Sequence, residues 1–394
     1  MDAGTRPEAP LTCQRDAFSL PDDLHYLNCA YMGPLPRVSE DAGIEGLRVK
    51  RVPSDIVPDD FFNTADELRG LFAGLVGAPD PQRISIGPGA SYALAAAAKN
   101  LPLETGQNLV LTSEQFPGNV HAWTRKAREA SATVRTVGPG EGSTRGATWN
   151  DRILTSIDSR TAIVSVPTVH WTDGTLFDLI VIGSRCREVG AALVIDATQS
   201  IGAMPFDVTE VQPDLVVCST YKWLLGPYSL ALAYFGPRFD DGVPLEETWI
   251  GRERSEDFQH LVDYQDGYQP GAIRYDVAER SNFALLPVAV ASLELLTGWG
   301  PARIQGYCRE LTADLLESAG ELGFSVEAEQ WRGAHLFGLR MPEGIDLSVL
   351  RDGLAARRVS VSLRGTALRL APNVYNDASD VEALLDGLRE AVGG

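Results

Sequence analysis

The feature that most constrains the fold is an alternation of short apolar runs with segments of helical periodicity, beginning near residue 61. The runs Ala162–Val166 and Leu193–Ile195 are apolar on both faces, which is typical of parallel strands that are covered by helices on both sides. Between these two runs, Asp178–Gly190 has the spacing of a helix. This β–α–β order predicts an α/β fold with a mostly parallel sheet.

The same alternation of apolar runs and helical segments extends along the chain. Further helices are expected near Arg37–Val49, Phe62–Leu75 and Ser91–Asn100. The predicted strands of the sheet are Arg83–Ile86, Asn108–Thr112, Thr133–Val137, Ala162–Val166, Ala192–Ile195, Leu215–Cys218 and Leu230–Tyr234. Their number predicts a seven-stranded sheet.

The last third of the chain has a different pattern. Two long apolar helices, Phe283–Leu296 and Ile304–Leu322, are followed by short segments that alternate between strand and helix character. The expected strands here are Ser325–Glu327, Leu336–Arg340, Val359–Leu363 and Ala367–Leu370, and the expected helices are Leu347–Arg357 and Ser379–Val392. This pattern predicts a smaller α+β domain.

Composition limits the partners of the protein. The chain of 394 residues has 34 basic and 53 acidic side chains and a formal net charge of −19, which disfavours nucleic acid and anionic membranes as partners. No apolar run is long enough to span a bilayer and the N-terminus lacks the apolar core of a signal peptide, so we expect a cytoplasmic protein. Five scattered cysteines and five histidines show no ligand spacing, so we expect no metal site.

The segment 193–227 carries the chemistry. Asp196 follows one apolar strand, and Lys222 lies just beyond the end of the next. Open α/β sheets bind their ligands outside the carboxyl ends of the strands. Lys222 is also one of only four lysines, the other thirty basic residues being arginine, which cannot lose its proton to become a nucleophile.

An acid and an amine at this edge suit pyridoxal 5'-phosphate (PLP). The amine forms a Schiff base with the cofactor, and the carboxylate keeps the pyridine nitrogen protonated so that the ring accepts electrons. Each residue also has a simpler interpretation: Asp196 as an Asx turn that ends the strand, and Lys222 as a solvated loop lysine. Their 26-residue separation, with a strand between them, favours the cofactor site.

The segments D-A-T-Q-S-I-G-A, from Asp196, and S-T-Y-K-W-L-L-G-P, from Ser219, resemble the class V aminotransferase-like family of PLP fold type I enzymes. The resemblance covers roughly residues 24 to 390. It implies an N-terminal segment, 16–50, that packs with the small domain. It further implies a large PLP-binding domain, 51–285, and a linking helix with a C-terminal small α+β domain, 286–394.

The resemblance also implies roles for the residues around Lys222. By it, Lys222 is the catalytic lysine that binds PLP covalently, and Asp196 is the partner of the pyridine nitrogen. Gln199 matches the position that hydrogen-bonds the phenolic oxygen of the cofactor. Ser219 and Tyr221 match phosphate-binding positions, and hydroxyl groups can donate to phosphate oxygens.

Two further segments resemble cofactor-binding parts of the family. Gly87-Pro88-Gly89-Ala90-Ser91 precedes an Ala-rich helix, whose N-terminal amides favour an anion. Relatives often have Thr-Thr where this chain has Ala90 and Ser91, so one side-chain donor is missing at Ala90. In 114–119, the resemblance implies that the ring of Phe116 stacks on the cofactor and that Asn119 lies near its edge. Core packing of Phe116 is the alternative.

Substrate contacts are also implied by the resemblance. Arg369 matches the arginine that binds the substrate α-carboxylate, a role that suits a planar bidentate donor, and Arg364 is the second candidate. Trp171 matches a residue that lines the pocket beside the cofactor. Asn28 and Tyr31 match the N-terminal stretch at the pocket mouth.

The family also implies a homodimer with two sites at its interface. Trp249 and Arg280 match regions that reach the site of the neighbouring subunit. Relatives often carry Gly-Thr where this chain has Glu279 and Arg280, so a phosphate contact across the dimer would need Arg280. Ordinary packing is the alternative for both residues.

The reaction is less constrained than the cofactor. A cysteine desulfurase needs a thiolate shortly before the carboxylate-binding arginine, but residues 359–368 contain no cysteine, which disfavours that reaction unless Cys29 serves. We favour an aminotransferase acting on an amino-acid-like small molecule over a PLP-dependent lyase or an epimerase. A nucleotide-binding protein and a non-catalytic family member, both without PLP, stay open as alternatives.

Overall fold

The computed structural model describes residues 9–140 and 144–393. In chain order its strands are β1 (His25–Tyr26), β2 (Ile84–Gly87), β3 (Asn108–Thr112), β4 (Thr133–Val137), β5 (Thr161–Pro167), β6 (Ala192–Asp196), β7 (Leu215–Ser219), β8 (Ala231–Phe235), β9 (Phe337–Arg340), β10 (Val359–Ser360), β11 (Ser362–Arg364) and β12 (Ala367–Leu370). Its helices are α1 (Arg37–Arg48), α2 (Asn63–Leu75), α3 (Ala90–Asn100), α4 (His121–Ala130), α5 (Arg145–Ser156), α6 (Leu179–Val189), α7 (Val208–Val211), α8 (Leu285–Trp299), α9 (Pro301–Glu321), α10 (Leu347–Ala356) and α11 (Ala378–Gly393).

The central sheet has seven strands in the order β2-β8-β7-β6-β5-β3-β4. Neighbouring strands from β4 to β7 pair in parallel, and β8 runs antiparallel to both β7 and β2. The predicted α/β class and the mostly parallel seven-stranded sheet are therefore confirmed.

The two-sided apolar pattern of the strands has a direct structural cause. Along β6, Leu193 and Ile195 belong to a core cluster that also contains side chains of α2, α5, α6 and α8. Ala192 and Val194 point to the opposite face, into a cluster with side chains of α3 and α4. Because both faces of the strand are covered, neither alternate position is polar.

Two small sheets are built mainly from the C-terminal third. Strands β11, β12 and β9 form an antiparallel sheet, and β1 pairs in parallel with β10. The single strand predicted for Val359–Leu363 is wrong, because its two halves pair with different partners, β1 and β12. The strand predicted for Ser325–Glu327 is also wrong, since only an isolated bridge from Ser325 to Arg340 forms there.

The long helices α8 and α9 meet at Gly300, which has a φ of +77°. No single helix in the described ranges is long and apolar enough to cross a membrane. The pair α8 and α9 reaches that length and composition only when taken together, and the two helices are bent by 69° relative to each other.

Candidate active site

A cavity of about 230 Å³ opens at the carboxyl ends of β5, β6 and β7. Asp196 ends β6 and pairs in register with Val217 of β7, so the turn after β7 brings Lys222 to the same edge. Nine of the predicted site residues line this cavity: Ala90, Ser91, Phe116, Trp171, Asp196, Gln199, Ser219, Tyr221 and Lys222.

Lys222 is buried, and its Nζ lies 5.4 Å from the ring centroid of Phe116 and 5.5 Å from that of Tyr221. Burial lowers the pKa of this amine to about 8, although the negative charge of Asp196 acts in the opposite direction. With this pKa, roughly a tenth of the amine is neutral at pH 7, far more than for an ordinary lysine. The site therefore contains an amine that can act as a nucleophile and as a base.

Asp196 is a buried carboxyl group whose pKa is raised by desolvation. Its Oδ1 accepts a hydrogen bond from the Thr198 N–H at 3.1 Å, and the charge of Lys222 opposes the rise. Within the described ranges it forms no ion pair at 4 Å or less, so hydrogen bonds from Thr198 are what stabilise its charge directly. A protonated nitrogen in the cavity would add a cationic partner.

Gln199 is held in one orientation by two buried contacts. Its Nε2 donates to the Ala30 carbonyl at 3.1 Å, and its Oε1 accepts from Trp223 Nε1 at 2.8 Å. Because Nε2 carries two hydrogens, one donor position stays available toward the cavity. The contact with Trp223 also ties Gln199 to the residue that follows Lys222.

The cavity also contains groups that are suited to an anion. Helix α3 begins at Ala90, and Gly89 and Ser91 line the cavity with it. The first turn of a helix leaves amide N–H groups without intrahelical acceptors and carries the positive end of the helix dipole. The hydroxyl-bearing residues Ser219 and Tyr221 line the same cavity, so backbone and side-chain donors converge there.

Phe116 forms part of the cavity wall. Its ring contacts that of Trp171 edge-on at a centroid distance of 5.6 Å, and the Trp171 Nε1 donates to the Glu114 carbonyl at 2.6 Å. The two rings enclose one side of the space around Lys222. Stacking of Phe116 on a bound cofactor stays a prediction.

Residues 58–249 match the family model of class-V aminotransferases. The chain is 28% identical over 319 residues to the uncharacterized aminotransferase YcbU of Bacillus subtilis, an alignment that covers 81% of each protein. It is 23% identical over 379 residues to isopenicillin N epimerase of Streptomyces clavuligerus, covering 93% of this chain and 94% of that protein.

Solved structures of known enzymes share the fold. One is a variant of C-DES with glycine covalently linked to the PLP cofactor, which superposes with a TM-score of 0.82 at 17% identity over 96% of this chain and all of that one. The chain is similar in sequence and in fold to the class-V aminotransferase family. Members of this family are PLP-dependent enzymes, and the fold is PLP fold type I.

The residues that line the cavity fit PLP. The cavity joins an amine, a buried carboxyl group without an ion pair among the described residues, and a helix N-terminus together with three hydroxyl groups, which match the aldehyde, the pyridine nitrogen and the phosphate of the cofactor. Lys222, Asp196, Ser91, Ser219 and Tyr221 would hold these three parts. Because Ala90 has no side-chain hydroxyl, only its backbone can contribute to the binding of the phosphate, as the sequence predicts.

Arg369 and Asn28, predicted to bind substrate, lie together and are not part of the cavity lining. Nη1 of Arg369 donates to the Trp171 carbonyl at 2.7 Å, and Nη2 lies 3.5 Å from Asn28 Oδ1. Tyr31 is 60% exposed on the surface. Since Arg369 is buried, a conformational change or a ligand that reaches past Trp171 is needed for contact with it.

Three other predicted residues lie away from the cavity of this chain. Asn119 is buried, and its Oδ1 accepts from Trp123 Nε1 at 2.9 Å and from Ser165 Oγ at 2.7 Å. Arg280 is buried in an ion pair with Asp276. Trp249 is partly exposed on another face. None of the three is part of the cavity lining, and the roles of Asn119, Arg280 and Trp249 stay predictions.

Sequence reasoning missed several residues that line the cavity, among them Gln115, Thr198, Tyr228 and Ser229. Thr198 follows Asp196 by two residues, so its Asx-turn contact was a usable local signal. Gln115, next to Phe116, is buried with its Nε2 unpartnered among the described residues. Tyr228 reaches the cavity through a ring contact with Tyr221, which only the tertiary structure shows.

Proposed function

We propose that this PLP enzyme is an aminotransferase that acts on an amino-acid-like small molecule, with Lys222 as the base at the substrate Cα. The observation that carries the proposal is the pair of Lys222 and Asp196 in one cavity, where burial lowers the pKa of the lysine to about 8. An amine with that pKa is close to the optimum for proton transfer at neutral pH.

Bound PLP supplies an electron sink for the bond that breaks at Cα. Asp196 would hold the proton on the pyridine nitrogen, since its carboxyl group is a buried acceptor that lines the cavity. Lys222 Nζ takes the proton from the substrate Cα and returns it to a neighbouring atom. Phe116 and Trp171 limit the access of water to these groups.

Cys29 supports this choice over a desulfurase reaction. The thiol is buried beneath the lysine turn, donates to the Lys222 carbonyl at 3.8 Å, and accepts from Asn373 Nδ2 at 3.3 Å. Burial raises its pKa to about 11, so it stays a thiol near neutral pH. A persulfide carrier requires an accessible thiolate, which is the opposite environment.

The reaction is tested with purified enzyme and a panel of L- and D-amino acids. An aminotransferase bleaches the visible absorbance of the enzyme while it releases one 2-oxo acid per site, and a second 2-oxo acid restores the band. Ammonia or sulfide release with a retained band would contradict transamination and favour a lyase. Inversion at Cα in deuterated water, without 2-oxo acid, would favour an epimerase.

We also propose that the enzyme works as a homodimer. Tyr228 lies at the cavity rim and is 64% exposed, and Trp249 packs edge-on to Phe61 and Phe258 at the surface, so large aromatic groups are available for burial against a second copy. Light scattering is expected to give twice the mass of one chain, 42.6 kDa. A monomer that is fully active would contradict this proposal.

A further inference from the structure

Two arginines share one face of the β11–β12 hairpin. The antiparallel register pairs Ser362 with Arg369 and Arg364 with Ala367. Side chains two residues apart on a strand point to the same face, so Arg364 shares the face of Ser362 and of its partner Arg369. Arg364 and Arg369 are therefore diagonal neighbours, whose Cα atoms lie about 7–8 Å apart in such a ladder. Two positive charges at this spacing repel each other unless an anion lies between or beside them.

Neither arginine has a carboxylate partner among the described residues. Arg369 donates to neutral oxygens only, those of Trp171, Ser362 and Asn28. Arg364 donates from Nη1 to the adjacent Leu363 carbonyl at 2.9 Å. The Nε atoms of both arginines are buried and have no acceptor.

The neighbouring arginines behave differently. Arg145 pairs with Asp173 at 2.8 Å and with Glu114 at 3.8 Å, and Arg340 lies 3.7 Å from Asp173. Local acids therefore already compensate these two charges. The charges of Arg364 and Arg369 have no acidic partner among the described residues. Burial, together with the charge of Arg364, lowers the pKa of Arg369 to about 10.

Arg364 lies in a second cleft that continues from the Lys222 cavity. The two spaces share Gln115 and Trp171 as lining residues, and the guanidinium carbon of Arg364 lies 5.5 Å from the Trp171 ring centroid. The buried, unpartnered Nε2 of Gln115 is a further donor at the junction. A molecule that extends from Lys222 past Trp171 thus meets an amide donor and then a guanidinium group.

We propose that the substrate is an amino acid with an acidic side chain, and that Arg369 binds one of its carboxylates while Arg364, assisted by Gln115, binds the other. This inference rests on the proposed function, which makes the substrate amino-acid-like. A carboxylate fits better than a phosphate group because only the single charge of Arg364 is uncompensated in the second cleft. Each contact would be a charge-assisted hydrogen bond.

The test measures dissociation constants from the change in the visible spectrum of the holoenzyme. The ligand pairs are glutamate with glutamine and aspartate with asparagine, and 2-aminoadipate extends the series. The wild type is expected to bind one acid at least about tenfold more tightly than its amide. Arg364→Gln is expected to remove that preference without weakening the binding of the amide. Arg364→Lys is expected to keep part of the preference. Arg351→Gln, on the exposed surface, is expected to leave all the dissociation constants unchanged.

Two results would overturn the inference: equal affinity of the wild type for every acid and its amide, or an Arg364→Gln variant that keeps the preference. A cofactor-free readout separates this failure from failure of the proposed function. Glutarate is expected to raise the unfolding temperature of the apoprotein more than its monoamide does, and Arg364→Gln to abolish the difference. If that preference is found but no amino acid bleaches the visible band of the holoenzyme with release of a 2-oxo acid, the proposed function alone is contradicted.

Discussion

Gly33 lies directly against the main chain of Lys222, and a methyl group at Gly33 would overlap the Lys222 carbonyl oxygen. The Gly33 N–H also donates to the Tyr221 carbonyl at 2.9 Å. Together with the Cys29 thiol, which donates to the same Lys222 carbonyl, this contact fixes the turn that carries the lysine. A segment almost two hundred residues earlier in the chain therefore positions the reactive amine.

The variant Gly33→Ala is expected to displace the Lys222 turn, because the added Cβ meets backbone rather than a flexible side chain. We expect unfolding to become easier by about 1–3 kcal/mol, as for other overpacked sites, together with slower capture of PLP. Chemical denaturation and borohydride trapping measure the two effects. Gly70→Ala, in α2 with no atom within 4 Å of its Cβ position, is the matched control, and an equal loss there would argue against the contact.

Lys222→Ala is expected to abolish the visible band of the holoenzyme and the covalent label left by borohydride, because no other lysine lies in the cavity. The far-UV circular dichroism spectrum should stay that of the wild type. Lys50→Ala removes an exposed lysine and is expected to leave both the band and the label unchanged. A labelled Lys222→Ala protein would show that another amine holds the cofactor.

The pH dependence of the apoprotein follows from the lowered pKa of Lys222. The folded protein binds fewer protons than the unfolded chain between about pH 8 and the ordinary lysine pKa of 10.5, so raising the pH through this window stabilises the fold. The stability of the wild type minus that of Lys222→Met, measured by denaturation at each pH, should rise across it. A flat difference would indicate an unshifted lysine.

The rate of PLP capture should follow the same group, rising with pH and levelling above about pH 8 rather than above 10. Asp196→Asn removes the charge that keeps the lysine protonated, so the midpoint of this profile should move to lower pH. Stopped-flow absorbance measures both profiles. A midpoint that moves upward in Asp196→Asn would contradict the electrostatic link between the two residues.

The buried cluster around Asp276 is expected to stabilise the large sheet. Asp276 pairs with Arg69 and with Arg280 Nε at 3.2 Å, and its Oδ1 accepts from the Ile86 N–H of β2 at 2.8 Å. Asp276→Ala removes the buried acid that two buried guanidinium groups share, leaving Arg69 only the exposed Asp66 at 3.5 Å, and should cost about 3–5 kcal/mol of unfolding free energy. Asp352→Ala, which breaks an exposed pair with Arg351, should cost no more than about 1 kcal/mol by the same denaturation assay.

The strands were predictable because their signal is local. Asn108–Thr112, Thr133–Val137 and Ala367–Leu370 have the bounds expected from apolar patterning. The break within Val359–Leu363 was not predictable, since it depends on the choice of β1 as a partner from the other end of the chain. Pairing over such a separation leaves no mark in the pattern of a single segment.

The candidate site likewise has some features that the sequence shows and others that depend on distant residues. Asp196 and Lys222 could be found from the sequence, because both follow apolar strands of one parallel sheet and their residue types limit the chemistry. The sequence could not show that Arg145 is paired while Arg364 is not, since the acids that pair with Arg145 come from other segments of the chain.

By itself, then, the sequence determined the α/β class, the edge of the sheet where chemistry occurs, and the resemblance that implies PLP. Only the tertiary structure decided the pKa of Lys222, the contact of its turn with Gly33, and the two arginines left without acids. The physical reason is that desolvation and charge pairing act through space. They depend on which distant residues the fold brings together, whereas strand patterning depends on near neighbours.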